Sequence, residues 1–140
     1  MTDDSNVIKL RLLEGYKFNV EFDNQTPGFL VDETKPHGEG SGPNPPRILA
    51  AAIGHCLSSS LIYCLKKVRV GVKDLETTVK VNFFRNKKGK RRIASMDVQI
   101  RLRANEADES RVPRCLKIFE DYCTVTQSVI KGIPVSINVT

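Results

Sequence analysis

The sequence lacks an apolar stretch that would predict a membrane-spanning segment. Its longest run without a charged side chain covers residues 48–65 and contains His55 and three serines. At ~1.5 Å of rise per residue, such a helix is too short and too polar to cross a bilayer. The first residues are polar and acidic, without the basic and apolar regions of a secretory signal. We therefore expect a cytoplasmic protein without a membrane partner.

Several common catalytic and binding motifs are missing as well. The cysteines form two Cys-x7-Cys pairs and the two histidines are far apart, a spacing that fits a zinc site poorly. Neither common glycine-rich phosphate-binding loop occurs, and the serines at 58–60 lack the glycine context of a serine nucleophile. His55 adjoins Cys56, but adjacent helical residues do not face each other. We therefore expect no metal and no cofactor.

Length and composition predict one globular domain over residues 1–140. Hydrophobic residues make up 40% and charged residues 27% of the chain, which is too apolar for a disordered protein. The net charge of +6 comes from 22 basic and 16 acidic residues. Six of the basic residues lie within eight positions: Arg85, Lys87, Lys88, Lys90, Arg91 and Arg92. The other 16 basic residues balance the 16 acidic residues, so the excess charge lies in this one segment.

Hydrophobic periodicity predicts an α+β fold with an antiparallel sheet and two long central helices. Alternating apolar and polar positions predict strands at residues 7–13, 16–22, 28–32, 75–83, 93–102 and 134–139. Helical spacing predicts one helix over residues 45–67 and a second from about residue 106 to Gly132. The order is β-β-β-α-β-β-α-β, typical of α+β domains. The second helix is expected to turn Val112, Cys115, Leu116, Phe119 and Tyr122 inward.

The start of the first helix is marked by Asn44 and Pro45. An asparagine N-cap accepts backbone N–H groups, and proline suits the first helical position, where its missing N–H would be unpaired anyway. The preceding residues 35–46 contain three glycines and four prolines, which predicts a loop.

The four cysteines lie two on each predicted helix. Cys56 and Cys64, like Cys115 and Cys123, are separated by ~12 Å of helix rise, which is too far for a disulfide. If the two helices run straight and antiparallel, a register that sets Cys56 opposite Cys123 also sets Cys64 opposite Cys115. The spacing thus permits two stacked dithiols. The alternative is that buried free cysteines serve as small hydrophobic side chains.

Two segments around these cysteines resemble the OsmC-like family, which comprises osmotically inducible protein C and the organic hydroperoxide resistance proteins. Residues 42–57 are similar to the family's Gly-x-Asn-Pro loop, alanine-rich helix and first cysteine segment. Residues 123–129 are similar to its second cysteine segment, with Thr124 where the family usually has proline. The resemblance covers nearly the whole chain, because the order of strands and helices also agrees.

The resemblance implies a peroxiredoxin-like thiol peroxidase that acts in oxidative-stress defence. Cys56 would attack an organic hydroperoxide, release an alcohol and become a sulfenic acid, and Cys123 would resolve it as a disulfide. An external dithiol would then reduce the disulfide. The family also implies an intertwined homodimer, and a fresh short helix that starts at the Cys123 segment and favours the thiolate.

The residues that activate the cysteine in the hydroperoxide reductases differ here. The acidic residue that follows the family's Asn-Pro is Pro46 in this chain, followed by Arg47. The family's hairpin arginine has no clear counterpart, and the nearest cations are Lys17 and Arg11. We therefore regard Arg47, Lys17 and Arg11 as candidates for activating the thiol or binding substrate. The missing acid leaves open an OsmC-like thiol protein without peroxidase activity, with another redox or small-molecule role.

The basic segment 85–92 is flanked by Phe83 and Phe84, and a basic hairpin with aromatic side chains can contact nucleic acid. Because the excess charge is confined to this one loop, we expect a solvated hairpin tip and no broad phosphate-binding surface. Nucleic-acid binding through residues 85–92 is the alternative, and a steep loss of binding with salt would identify it.

Overall fold

The computed structural model describes residues 6–140, and the chain divides into an N-terminal unit that ends at Ile48 and a C-terminal unit that begins at Leu49. The elements run β-β-β-α-β-β and are followed by short helical segments. Both sheets are antiparallel. The predicted α+β class is therefore confirmed, and the single domain over residues 1–140 stays a prediction.

The N-terminal unit is built on a three-stranded sheet in the order β1-β2-β3. β1 (Lys9–Glu14) and β2 (Lys17–Glu21) form a hairpin, and the short β3 (Phe29–Val31) pairs with β2. Gly15 closes the hairpin with a φ of +53°, in the left-handed region that favours glycine. The three predicted strands are thus confirmed. β1 leaves Leu10 and Leu12 more than half exposed.

Asp32 organises the glycine- and proline-rich loop that precedes the first helix. Its residue surface is only 3% exposed, and its carboxylate accepts backbone N–H groups from Glu33, Glu39 and Ser41 at 2.8–3.1 Å. Burial alone would raise the pKa of Asp32, but these hydrogen bonds outweigh burial and lower the pKa below its usual range. The carboxylate thus ties three positions of the loop together.

α1 (Pro45–Lys67) begins and ends where the sequence predicts. Asn44 Oδ1 accepts the N–H of Arg47 at 3.3 Å, which is the predicted N-cap interaction. The expectation that this helix is too short and too polar to cross a bilayer is wrong, because by length and composition α1 could span a membrane, as the buried core helices of soluble proteins also could. Eight of its residues are buried: Ala50, Ile53, Gly54, Leu57, Ser60, Leu61, Cys64 and Leu65.

Two hydrophobic clusters lie along α1 in the C-terminal unit. The first contains Ile53, Leu57 and Cys123. The second contains Leu61, Cys64, Leu65, Val70 and Cys115. Side chains of the following strands pack against both clusters, and Gly54 allows the close approach, since a Cβ there would lie 3.0 Å from Val79 Cγ2. The first cluster therefore contains Cys123, and the second contains Cys64 and Cys115.

β4 (Val72–Arg85) and β5 (Arg91–Ala104) form a long two-stranded antiparallel sheet. This confirms the predicted pair of strands and the basic loop between them. The strands are longer than predicted, because the pairing continues from Val72 opposite Ala104 to Arg85 opposite Arg91.

The prediction of a second long helix is wrong. The chain forms a 3₁₀ helix (Glu106–Arg111), α2 (Val112–Ile118), another 3₁₀ helix (Phe119–Tyr122) and α3 (Thr124–Lys131). At Cys123 the backbone is extended, with φ −83° and ψ 98°, so a continuous helix cannot pass through this residue. As a result Leu116 and Tyr122, predicted to face inward, are about half exposed, whereas Cys115 is buried. Gly132 ends α3 as predicted.

The predicted last strand at residues 134–139 does not form. Residues 132–140 have no regular structure, and Val135, Ile137 and Val139 are 78–90% exposed. A strand requires backbone hydrogen bonds from a neighbour, and no strand among residues 6–140 pairs with this segment.

Candidate functional site

α1 carries Cys56 and Cys64 two turns apart, and each meets a cysteine from the chain that follows β5. The Cys56 thiol lies beside the Cys123 thiol, close enough for each to shift the pKa of the other. The Cys64 thiol lies beside the Cys115 thiol, and all four thiols are free. We refer to Cys56 and Cys123 as the first dithiol and to Cys64 and Cys115 as the second dithiol.

Cys123 is the N-cap residue of α3. Its carbonyl accepts the N–H of Gln127 at 3.1 Å, and its own N–H donates to the carbonyl of Glu120 at 3.1 Å. The side chain of Gln127 donates to the same carbonyl at 3.2 Å, which ties the preceding 3₁₀ helix to α3. The side chain of an N-cap residue faces the unpaired N–H groups of the first helical turn. Cys123 Sγ makes no capping hydrogen bond of this kind, but it lies at the N-terminal end of α3, where the helix dipole favours a thiolate.

Hydroxyl and backbone N–H groups surround the first dithiol. Thr126 Oγ1 lies 3.0 Å from Cys123 Sγ. The N–H of Thr126 and the hydroxyl of the buried Ser60 lie near Cys123 and act to lower its pKa. The N–H groups of Val125 and Thr126 lie near the sulfur of Cys56 and act to lower its pKa. The N-terminal end of α3 thus faces both sulfur atoms.

The two thiols of the first dithiol differ in acidity. Burial would raise the pKa of Cys123, but its hydrogen bonds, chiefly from the Cys56 thiol, outweigh burial and hold the pKa below its usual range. Burial raises the pKa of Cys56, and the hydrogen bond to Cys123 raises it further, against the lowering effect of two N–H groups. Within this pair, Cys123 is therefore the more acidic thiol and Cys56 the less acidic one.

The two thiols also differ in accessibility. Cys56 is partly exposed, whereas Cys123 has no exposed surface. Ile53 and Leu57, each 5% exposed, pack in the same cluster and keep water from the inner sulfur. A small electrophile from solvent therefore meets Cys56 before it can meet Cys123.

The second dithiol is buried in the other cluster. Cys115 is 0% and Cys64 4% exposed. Burial, followed by the hydrogen bond to Cys64, raises the pKa of Cys115 to about 11, so Cys115 keeps its proton at neutral pH and is a poor nucleophile. Among residues 6–140, no cluster of three or more potential metal ligands occurs.

Two of the candidate cations, Lys17 and Arg11, are ion-paired within the N-terminal unit. Lys17 Nζ lies 2.6 Å from the Glu39 carboxylate and 3.3 Å from that of Glu14, and both raise the pKa of Lys17. Arg11 pairs with Glu21 at 3.1 Å on the surface of the hairpin. Their carboxylate partners here are these glutamates, and a role of either cation towards a thiol stays a prediction.

Arg47, the third candidate cation, is exposed in the first turn of α1, nine residues before Cys56. A cation in the first turn opposes the helix dipole, so a nearby anion would stabilise it. His55 is exposed on α1, on a different side of the helix from the buried Gly54 and Leu57. Nothing in its surroundings supports a role as a base.

Ser60 and Thr126 take part in the site although no motif marks them. Ser60 falls four residues after Cys56, hence on the same face of α1. Thr126 falls three residues after Cys123, the position whose N–H bonds an N-cap side chain. These two spacings are the signals that could have identified them from the sequence.

Comparisons with known proteins identify the family and the fold. The family of OsmC-like proteins matches residues 38–138, and no curated protein matches the chain. An OsmC-like protein of Mycoplasma pneumoniae is 15% identical, with a TM-score of 0.76 over 99% of this chain and 98% of that one. An organic hydroperoxide resistance protein of Legionella pneumophila is 16% identical, with a TM-score of 0.67 over 94% and 93%. One from Elizabethkingia anophelis is 17% identical, with a TM-score of 0.63 over 90% and 88%. At these identities the likeness shows a shared fold.

Proposed function

Because the chain belongs to the OsmC-like family, we propose that its first dithiol reduces organic hydroperoxides to alcohols. The main support is one observation: the partly exposed Cys56 thiol lies beside Cys123, a buried thiol with a lowered pKa. Two of the similar structures are organic hydroperoxide resistance proteins, and we extend their activity to this chain.

The first half of the reaction oxidises Cys56. Cys56 passes its proton to the Cys123 thiolate along the hydrogen bond, and the new Cys56 thiolate attacks the terminal oxygen of the hydroperoxide. The O–O bond breaks and Cys56 becomes a sulfenic acid. The leaving alkoxide takes the proton from Cys123 and departs as an alcohol.

The second half of the reaction forms the disulfide. The Cys123 thiolate attacks the sulfur of the Cys56 sulfenic acid, the S–O bond breaks, and hydroxide leaves. An external dithiol then reduces the disulfide by thiol–disulfide exchange. We place this cycle in the cytoplasm, whose thiol pool can supply the two electrons.

This mechanism gives Cys123 a second role, as the proton acceptor for Cys56. The chain resembles hydroperoxide reductases that carry an acid at the position of Pro46, and here Pro46 and Arg47 stand there instead. A nucleophile can be activated by any base within hydrogen-bond reach. The Cys123 thiolate is such a base, so the proposed activation of Cys56 does not require that acid.

We also propose that the protein is a homodimer. β1 exposes Leu10 and Leu12, and the C-terminal segment exposes Val135, Ile137 and Val139 in an alternating pattern. Such apolar segments, one of them lacking any strand partner among residues 6–140, are typical of surfaces that a second chain covers. Light scattering should give twice the chain mass of 15.7 kDa. A mass of one chain at micromolar concentration would refute the dimer.

Steady-state turnover tests the peroxidase proposal. Purified protein is mixed with cumene hydroperoxide and dithiothreitol, and consumption of the hydroperoxide is followed. Cys56→Ser should abolish turnover, because an alcohol lacks the nucleophilicity of a thiolate. Cys123→Ser should slow the oxidation of Cys56, because its proton acceptor is lost, and the sulfenic acid that does form should persist and be labelled by a dimedone probe. Cys64→Ser is the matched control and should keep turnover within about twofold.

The alternative is a dithiol that exchanges with disulfides and does not react with peroxides. The absence of the family acid at Pro46 is the feature that favours it. A wild-type protein that reduces a model disulfide but leaves cumene hydroperoxide unchanged would establish the alternative and refute the peroxidase. Turnover that survives in Cys56→Ser and disappears in Cys64→Ser would move the reactive centre to the second dithiol.

A further inference from the structure

The far end of the β4–β5 hairpin extends beyond the hydrophobic clusters. The strand residues that pack against the clusters lie in the nearer part of the hairpin. On β5, Met96 is the one of them that lies nearest to the tip in the sequence. From residue 83 to residue 92 every residue is exposed except Asn86, which is partly exposed. We call residues 83–92 the basic tip. It is accessible on both faces of the two-stranded sheet.

The basic tip is an ordered turn. Asn86 Oδ1 accepts the N–H groups of Lys88 and Lys90, both at 3.0 Å, and Gly89 turns the chain with a φ of +74°. Arg85 donates from Nη1 to the carbonyl of Gly89 at 2.8 Å. These bonds hold the backbone of the turn and place its cationic side chains on a defined support.

The charge of the basic tip is not compensated. Arg85 and Arg91 stand directly opposite each other in the strand register, where two like charges are destabilising. Within residues 6–140, none of the six cations of the tip forms a salt bridge. These six cations equal the whole net charge of +6. A polyanion that binds here would relieve the repulsion.

From this arrangement we propose that the basic tip binds the phosphate backbone of nucleic acid. Two strands lie ~4.8 Å apart, and with their side chains such a ribbon fits the ~12 Å wide major groove of a duplex. The Arg91 guanidinium stacks 3.7 Å from the centre of the Phe83 ring. The neighbouring Phe84 is 49% exposed and free to stack on an unpaired base.

A nucleic acid fits the basic tip better than a lipid bilayer does. Binding to a bilayer surface is strengthened by apolar side chains that enter the membrane ahead of the charges. Here the outermost residues, 86–90, contain no apolar side chain, and Phe83 and Phe84 lie behind the cations. The tip therefore presents charge and hydrogen-bond donors first.

The test measures binding to a fluorescein-labelled 20-base-pair DNA duplex, and to one of its strands alone, by anisotropy between 50 and 200 mM NaCl. Contacts to four or five phosphates predict that affinity falls about 150- to 500-fold over this fourfold range of salt, because the slope of log affinity against log salt concentration is ~0.9 per phosphate. The variant Lys87→Gln/Lys88→Gln/Lys90→Gln should lower the salt slope by about 2.7. A stronger effect of Phe84→Ala on the single strand than on the duplex would assign base stacking to Phe84.

The matched control removes three exposed lysines elsewhere, in Lys73→Gln/Lys117→Gln/Lys131→Gln, and has the same net charge as the tip variant. It should keep at least half of the wild-type affinity. Equal losses in the two triple variants would show that net charge alone drives binding and would overturn the proposal. Lack of wild-type binding at 50 mM NaCl would do the same. So would binding to phosphatidylserine vesicles with none to DNA.

Discussion

Replacing Cys115 by serine should destabilise the protein without stopping the chemistry of the first dithiol. Cys115 has no exposed surface and lies in the cluster with Leu61, Leu65 and Val70. Its polar neighbour in that cluster is the thiol of Cys64. A serine hydroxyl would therefore be taken out of water with one weak hydrogen-bond partner.

The magnitude follows from the burial. An incompletely satisfied hydroxyl in such a site costs about 2 kcal/mol, within the range of ~1–3 kcal/mol from mutational data. Cys115→Ala buries no polar group and leaves a gap of about one sulfur atom, which costs about 1 kcal/mol. At ~4 °C per kcal/mol for a chain of this size, the melting temperature should fall by about 8 °C for serine and about 4 °C for alanine.

Thermal unfolding followed by circular dichroism under reducing conditions gives both values, and turnover of cumene hydroperoxide is measured on the same samples. We expect the order wild type, alanine, serine in stability, with turnover within about twofold throughout. Loss of turnover in both Cys115 variants at unchanged melting temperature would refute this reasoning, because it would give the second dithiol a chemical role.

Three further predictions follow from the acidity and packing of individual groups. In the wild type, thiolate absorbance at 240 nm should show one thiol that titrates below the usual cysteine range. Thr126→Val should raise the pKa of Cys123, and Thr126→Ser should restore it. Equal titration in the wild type and both variants would contradict the role of this hydroxyl. Because the pKa of Asp32 is lowered on folding, its contribution to stability is present above the unfolded pKa of 3.8 and is lost as pH falls through the folded pKa. The stability of Asp32→Asn, measured by urea unfolding, should therefore depend less on acid pH than that of the wild type. Identical pH profiles of stability would refute this role of Asp32. Gly54→Val should destabilise the protein by about 1–3 kcal/mol through overpacking against Val79; urea unfolding at unchanged midpoint would contradict the close approach of α1 to β4.

For α1 the sequence alone was sufficient. An asparagine N-cap, a proline at the first position and apolar residues at helical spacing are all local signals, and the helix begins at Pro45 and ends at Lys67 as they predict. The strands of both hairpins are also marked by local alternation. These elements could be predicted because neighbours in sequence determine them.

The region after β5 could not be predicted in the same way. Its apolar spacing is helical, yet the backbone at Cys123 is extended, and the resemblance to the family was the one indication of a break. The last strand failed because its hydrogen-bonding partner is absent from residues 6–140. The register drawn for two straight helices set Cys56 opposite Cys123 and Cys64 opposite Cys115. The same cysteines lie together in the structure although the second helix is broken, because Cys115 and Cys123 still face α1.

The acidity of the first dithiol was also beyond the sequence. The family resemblance implies a thiolate near the second cysteine, but the lowered pKa of Cys123 depends on where the Cys56 thiol and the hydroxyls of Ser60 and Thr126 lie in space. Spacing can place these groups on one face of a helix. It cannot say which of the two thiols is the more acidic.

The most direct test of the central claim is mass spectrometry of the reduced protein after one equivalent of cumene hydroperoxide, with the remaining thiols blocked by alkylation. We predict a loss of two hydrogens and one disulfide-linked peptide pair that joins Cys56 to Cys123, with Cys64 and Cys115 alkylated. A linkage between Cys64 and Cys115, or four alkylated thiols in the presence of unconsumed hydroperoxide, would contradict the proposed function.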